Sequence, residues 1–279
     1  MHVIGASGRS GAALCAALGD AAIPVVRSAQ RWSATGLPGT PRVADLTDAT
    51  ALRAALFDAT SIVSCAHARH AAAILAASPA GVRHIFLGST RKFTQWPDAH
   101  GTGVLAGEAA FLSSGRAGVM LHPTMIYGAQ GEDNVQRLAV LLRRLPVVPL
   151  PAGGRALVQP IHQSDVTRAI LAALARDWSG PHSLVIAGPA PMPYADFVRA
   201  IATAAALPPP RILPVPASLL MAASLLTRLP GVPTIRPDEI RRLLEDKAFD
   251  ITPMREQLGI APIALADGLA GLFAYRNGL

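Results

Sequence analysis

Lysine is nearly missing from this chain: of 25 basic residues, only Lys92 and Lys247 are lysines. Arginine carries the rest of the positive charge and most of the net +7. Guanidinium groups suit bidentate contact with phosphate, so the excess fits an anionic ligand. A general bias toward Ala, Arg, Gly and Pro is the simpler reading for most of them. No basic cluster is interleaved with aromatics and no nucleic-acid motif occurs, so DNA and RNA are not expected partners. The two cysteines, Cys15 and Cys65, fit no CxxC or zinc spacing. Their scarcity suits a reducing cytoplasm, and both read as small core hydrophobes. With 15% charged and 51% hydrophobic residues, long disorder is excluded and a large core is expected. The most apolar run, residues 217–226, is about half the ~20 residues of a membrane span. A buried helix is expected there, with peripheral contact to a membrane or partner as the alternative. No leader is expected either, because residue 3 already reads as strand.

What is present is a glycine loop at the very start, Val3-Ile4-Gly5-Ala6-Ser7-Gly8-Arg9-Ser10-Gly11. An apolar strand runs into glycines three apart and then into the helix-forming stretch from Ala12 to Leu18. In a dinucleotide-binding βα turn, Gly5 would allow the tight turn and Gly8 would admit a pyrophosphate. Gly11 would let the helix pack on the sheet. Ser7, Arg9 and Ser10 share that turn, whose helix N-terminus offers N–H groups and the positive end of a dipole.

Short apolar runs then alternate with Ala/Leu-rich stretches, the pattern of βαβ units and a mostly parallel sheet. Strands are predicted over residues 2–4, 23–27, 43–44, 61–65, 83–87 and 118–122, and further ones over 158–162 and 183–187. Helices are predicted over 10–18, 49–57, 68–77, 104–113 and 164–175. Beyond residue 188 prolines crowd the chain and separate short helices near 195–206, 217–229 and 238–245. The predicted organisation is therefore a dinucleotide-binding domain over 1–188 and a small, mainly helical lobe over 189–279.

Several segments, in order, resemble the extended and atypical short-chain dehydrogenase/reductases, including epimerase-like members. Asp45 and Leu46 match the family's acidic turn after the third strand, whose Asp touches adenine. Cys65, Ala66 and His67 match the end of the fourth strand, which passes ribose and phosphates. Ser89 and Thr90 fall where the family keeps its catalytic Ser or Thr. His122-Pro123-Thr124-Met125-Ile126-Tyr127-Gly128 is similar to an Arg-Pro-x-x-x-Tyr-Gly segment bordering the nicotinamide, which brings in His122, Pro123 and Met125. Residues 159–166 resemble a structural Pro-Ile-His-x-x-Asp-Val element. The tail, with Glu245-Asp246-Lys247, Leu258-Gly259 and Gly268-Leu269, resembles the branch that includes an accessory subunit of respiratory complex I. The resemblance implies a Rossmann-type doubly wound α/β fold and a nicotinamide dinucleotide.

One part of the pattern is missing. The family's acid/base pair is a Tyr followed four residues later by a Lys, yet Gly131, Val198 and Leu279 follow the three tyrosines at that distance. Anchored on Glu108, the register puts Gly101 at the Tyr position and Leu105 at the Lys position. His100, beside the vacancy, is the first candidate replacement; Ser89 or Thr90 would orient a carbonyl. His67 reads as a phosphate contact or helix cap, His162 as structural and Lys92 as a solvated loop charge. For the cofactor's type, Arg27 and Arg31 follow the second strand, and no acid lies between Ile23 and Arg42. With Arg9, they favour NADP(H) over NAD(H). Two functions stay open. One is an oxidoreductase or epimerase-like enzyme acting on a small molecule. The other is a non-catalytic NADP(H)-binding sensor or assembly protein serving a protein partner.

Overall fold

The computed structural model describes residues 1–128, 134–145, 147–224 and 237–274. Seven strands form the central sheet: β1 (His2–Ile4), β2 (Ile23–Val26), β3 (Arg42–Val43), β4 (Ser61–Ser64), β5 (Arg83–Leu87), β6 (Gly118–Pro123) and β11 (Pro181–Ile186). Their order is β11-β6-β5-β4-β1-β2-β3, and every neighbouring pair is parallel. This is a Rossmann-type doubly wound sheet extended by one strand, with its order reversing between β1 and β4.

Alternation along the strands divides the core in two. Val3, Val63, Ile85, Val119 and Leu121 face α1 (Arg9–Leu18), α7 (Gln163–Ala175) and α11 (Thr252–Leu258). Ile4, Ile62, Phe86 and Met120 face α3 (Ala49–Leu56), α4 (Ala71–Ala77) and α5 (Ala99–Ser113). Burial on both faces is why the inner strands read as continuous apolar runs. Helix starts are set locally: Asp48 accepts from the N–H groups of Thr50 and Ala51, Asp98 from Gly101, and His162 from Ser164.

A third cluster joins Tyr127, Leu142, Val148, Leu150 and Val158 to Phe197, Val198, Ile201, Leu269 and Phe273. Its elements are β7 (Ile126–Tyr127), α6 (Asn134–Arg144), β8 (Val147–Pro151), β9 (Leu157–Val158), β12 (Met192–Pro193), α8 (Tyr194–Ala204), β13 (Arg211–Val215) and α12 (Leu265–Ala274), whereas β10 (Ile161–His162) puts Ile161 into the first cluster. Residues on both sides of position 188 contribute to the third cluster, while α11 belongs to the main sheet's core. The remaining helices are α2 (Ala29–Ser33), α9 (Ala217–Ser224) and α10 (Pro237–Arg242). The predicted helix over 217–229 therefore lies outside the described residues beyond Ser224. The predicted strand over 158–162 is two pieces: β9 pairs antiparallel with β12, β10 pairs parallel with β7, and neither joins the main sheet. Gln159-Pro160 divides them, because Pro160 has no N–H to continue a ladder.

Tyr127 is packed so closely that a Cβ on Gly268 would collide with its hydroxyl. That hydroxyl is buried and has no hydrogen-bond partner among the described residues. An unpaired buried hydroxyl is a net cost, so Tyr127→Phe should leave stability unchanged or raise it by up to about 1 kcal/mol. Gly268→Ala should lower it. Denaturant titration of both variants checks this, and a loss in Tyr127→Phe would mean the hydroxyl has a partner.

Candidate functional site

Where the strand order reverses, the glycine loop is built from backbone contacts. Gly5 has φ +74°, and a Cβ there would sit 3.0 Å from the Ala66 nitrogen at the end of β4. Its own N–H donates to the Val25 carbonyl at 2.9 Å, and Gly8 N–H returns to the Gly5 carbonyl at 2.9 Å. A Cβ on Gly11 would run into that carbonyl, so only glycine lets α1 lie this close to β1. Gly8 is exposed, and α1 starts from it with no side-chain cap and no acid in its first turn. That leaves N-terminal donors facing outward. Ser7 is half-buried in the loop, Arg9 is exposed, and the Ser10 hydroxyl donates to Gln163 Oε1 at 2.9 Å.

Beyond β2, Arg27 and Arg31 are both exposed. Asp45, after β3, accepts from the hydroxyl and N–H of Thr47 at 2.7 and 2.9 Å. Those bonds, aided by Arg27 and His70, hold its carboxyl below the usual range. Leu46 packs against the second core.

The end of β4 brings Cys65, Ala66 and His67 beside the loop. Burial pushes the Cys65 thiol up to about 12, with Cys15 adding to the effect, so it is no nucleophile at neutral pH. His67 Nδ1 accepts from Arg69 N–H at 3.1 Å, which leaves the proton on Nε2. Nε2 is buried without a partner among the described residues. The ring meets His100 edge-on, centroids 4.3 Å apart. Burial, then His100 and nearby cations, bring His67 down to about 4. Burial and Arg91 also lower His100. Helix α5 is drawn onto this region by its glycines. A Cβ on Gly103 would lie 2.9 Å from His67 Cε1, and one on Gly107 would enter the Ala68 carbonyl. At Gly101, where the resemblance puts the Tyr, a Cβ would meet the Arg91 carbonyl at 2.8 Å. Leu105, at the Lys position, is half exposed. The helix begins at Ala99, five residues before the predicted start; these packing contacts outweigh the weak helix propensity of three glycines.

The end of β5 holds the next candidates. Ser89 Oγ accepts from Arg91 N–H at 3.2 Å, and Thr90 Oγ1 donates to the Pro123 carbonyl at 3.3 Å. Met125 packs against the third cluster. His122 shares a sheet face with Met120, so its ring turns inward beneath α5 and is fully buried. Nδ1 lies 3.2 Å from Ser89 N–H, and Nε2 lies 3.1 Å from Glu108 Oε1. Lys92 overturns its sequence reading. Its side chain is only 9% exposed, with Nζ 2.5 Å from Glu108 Oε1. Ser183 Oγ, on β11, donates to the same carboxylate oxygen. Neither Glu108 nor Ser183 reads as a site residue from sequence, and Lys92, close to Thr90, reads as a solvated loop charge; the one signal available is a lone acid inside apolar α5. The tail motif also acquires a role. Glu245 accepts from Thr94 Oγ1 and Gln95 N–H at 2.7 and 2.6 Å, and Asp246 from Leu157 N–H at 2.8 Å. Among the described residues no group of His, Cys, Asp and Glu is placed to hold a metal, and no helix is long and apolar enough to cross a membrane.

Removing one partner of a buried ion pair strands the other, so Lys92→Met should cost about 3–5 kcal/mol of stability, read by denaturant unfolding. A cost below about 1 kcal/mol, typical of exposed pairs, would contradict the burial. Acid sensitivity is a second expectation. Burial holds His84 and His122 down to about 4, below the ordinary 6.5. Between those values the unfolded chain binds protons that the folded chain does not, so stability should fall as pH drops from about 6.5 toward 4. Each imidazole contributes at most about 1.4 kcal/mol per pH unit. Flat stability across that window would contradict the assignment.

No protein-family model matches the chain, and no curated protein does. Solved structures do. The NADPH-dependent quinone oxidoreductase of Escherichia coli, complexed with NADPH, is 17% identical, with 98% of this chain and 99% of that one covered at a TM-score of 0.76. UDP-glucuronic acid 4-epimerase of Bacillus cereus, in complex with UDP-glucuronic acid and NAD, is 16% identical over 99% and 98%, TM-score 0.74. A short-chain dehydrogenase/reductase superfamily protein of Agrobacterium tumefaciens with bound NAD is 16% identical over 99% and 96%, TM-score 0.71. At such identities the likeness establishes the shared fold.

Proposed function

We propose that the chain binds NADP(H) across the carboxyl ends of β1, β2 and β4 and is an atypical, short-chain-dehydrogenase-like oxidoreductase or epimerase-like enzyme. The observation that carries this is the loop from Gly5 to Gly11. A positive-φ glycine, an exposed glycine and an uncapped helix start stand together where the strand order reverses. The pyrophosphate would lie against Gly8, Arg9 and Ser10, with Ala66 and His67 beside it. Asp45 and Leu46 would flank the adenine. The exposed Arg27 and Arg31 support a 2′-phosphate, hence NADP(H) over NAD(H). The NADPH and NAD named with the structural neighbours support the class of cofactor. A small-molecule substrate would sit between this edge and the lobe over 189–279.

The bound cofactor would supply or accept hydride; the protein's part is orientation and protons. Ser89 is the better oriented hydroxyl. Its oxygen already accepts from Arg91, and its proton has no acceptor among the described residues, whereas the Thr90 proton is committed to Pro123. His100, made neutral by burial and Arg91, is a stronger acid whenever it is protonated. Reduction through it therefore speeds up as pH falls. The second reading, a non-catalytic NADP(H)-binding sensor or assembly protein, is supported by the backbone that fills the Tyr position at Gly101.

Titration with NADPH and NADH, followed by a carbonyl panel, tests both. NADPH should bind more tightly, and replacing Arg27 and Arg31 with alanine should erase the preference. Gly8→Trp should abolish binding of both while the protein stays folded. Ser89→Ala should cut turnover by roughly 10²-fold, and His100→Gln should flatten the pH profile. Binding without turnover selects the sensor reading; absence of binding to either nucleotide contradicts both.

A further inference from the structure

Beneath α5 three side chains from three separate elements converge on one carboxylate oxygen of a fourth, Glu108. Lys92 comes from the turn after β5, Glu108 from α5, His122 from β6 and Ser183 from β11. The strand register makes this possible: Ser183 pairs with Met120, and His122 lies two residues further along the same face. The one contact of fixed polarity, from a backbone N–H, sets the tautomer of His122. Ser89 N–H can only donate, so His122 Nδ1 accepts and Nε2 carries the hydrogen. Nε2–H is then shared between Glu108 Oε1 and Ser183 Oγ, each at 3.1 Å. Lys92 Nζ, 3.3 Å from Nε2, is a second donor sharing that oxygen rather than a partner of the imidazole. The Ser183 hydroxyl is the third donor. A single carboxylate thus satisfies an ammonium, an imidazole and a hydroxyl.

We propose that Lys92, Glu108, His122 and Ser183 form a clamp that positions the Ser89–Thr90 turn, buried at Glu108 and His122 and open to solvent at Ser183. In it, Lys92 supplies the positive partner of Glu108 from the turn after β5. His122 as a neutral imidazole brings Glu108 a hydrogen bond without a charge, and Lys92, at 2.5 Å, brings the charge. The consequence is mechanical. The turn is held at two points three residues apart, at Ser89 through its N–H on His122 and at Lys92 through its ammonium on Glu108. Gly88 completes the arrangement, since a Cβ there would collide with His122 Nδ1. These are positioning residues acting through Ser89, and the inference rests on the reading that Ser89 faces the substrate.

The test reads the clamp without substrate. In wild type, imidazole ¹⁵N shifts should give His122 as the neutral Nε2–H tautomer, and the Ser89 amide should be protected from hydrogen exchange. Ser183→Ala should speed Ser89 exchange roughly tenfold, Ser183→Thr should restore protection, and Val3 and Val63 amides should not change. Lys92→Met should have a larger effect; if it does not fold, Ser183→Ala carries the test. An Nδ1–H or charged His122, or unchanged Ser89 exchange in Ser183→Ala, overturns the clamp. Where turnover is present, Ser183→Ala should lower kcat and leave the KM for NADPH unmoved. Because exchange and tautomer are read in the absence of turnover, failure of the clamp and failure of the enzymatic reading are distinguishable.

Discussion

Close approach of backbone to backbone along the carboxyl edge of the sheet is the constraint on which the rest of this molecule depends. Gly5 touches the end of β4, Gly11 lets α1 down onto the Gly5 carbonyl, and Gly101, Gly103 and Gly107 press α5 against two neighbouring turns. At Gly11, Gly101 and Gly107 a methyl group would overlap backbone, at Gly103 it would meet the His67 ring, and at Gly5 it would be tight at 3.0 Å where φ is already +74°. The contacts of Gly5 and Gly11 leave outward-facing donors at a helix start. The other three bring His100 against His67 and carry Glu108 down over the sheet.

The same packing accounts for the unusual distribution of ionisable groups. A helix pressed against the Arg91 carbonyl has no space for a tyrosine at 101, and half-exposed Leu105 carries no charge. On the proposed reading, proton chemistry in such a site would fall to neutral imidazoles and a hydroxyl. Burial keeps His67 and His122 uncharged at neutral pH, so each ring has one donor and one acceptor nitrogen, fixed by a backbone N–H. The buried positive charge beneath α5 is concentrated in Lys92, one of only two lysines in the chain. The compact ammonium of a lysine fits where several donors must share one oxygen.

The glycine loop and the first six strands of the sheet were legible because an inner parallel strand is a short apolar run bounded by turns. Ends were misjudged by one residue at most, as where β2 stops at Val26 and β6 continues to Pro123. The pair β8 and β13 was not legible: Pro149, Pro151 and Pro214 interrupt it and read as turn, yet a parallel pair accepts them where no ladder N–H is needed. Lys92 was misread for a different reason. Beside Arg91 it looks like a solvated charge, and its neighbours Glu108, His122 and Ser183 lie 16, 30 and 91 residues away in sequence. Glu108 served as a register marker, but nothing local shows that the Ser183 hydroxyl ends beside it. Patterns confined to one element were readable; a cluster assembled from four was not.

The central claim is that a nicotinamide dinucleotide lies across the glycine loop, with its pyrophosphate at the start of α1. Mapping amide chemical shifts on adding NADPH tests it most directly. The largest changes should fall on Gly8, Arg9, Ser10 and Ala66, with Arg27 and Asp45 following at the adenosine end. Saturable shifts confined to other surfaces, with these amides unmoved, would contradict it.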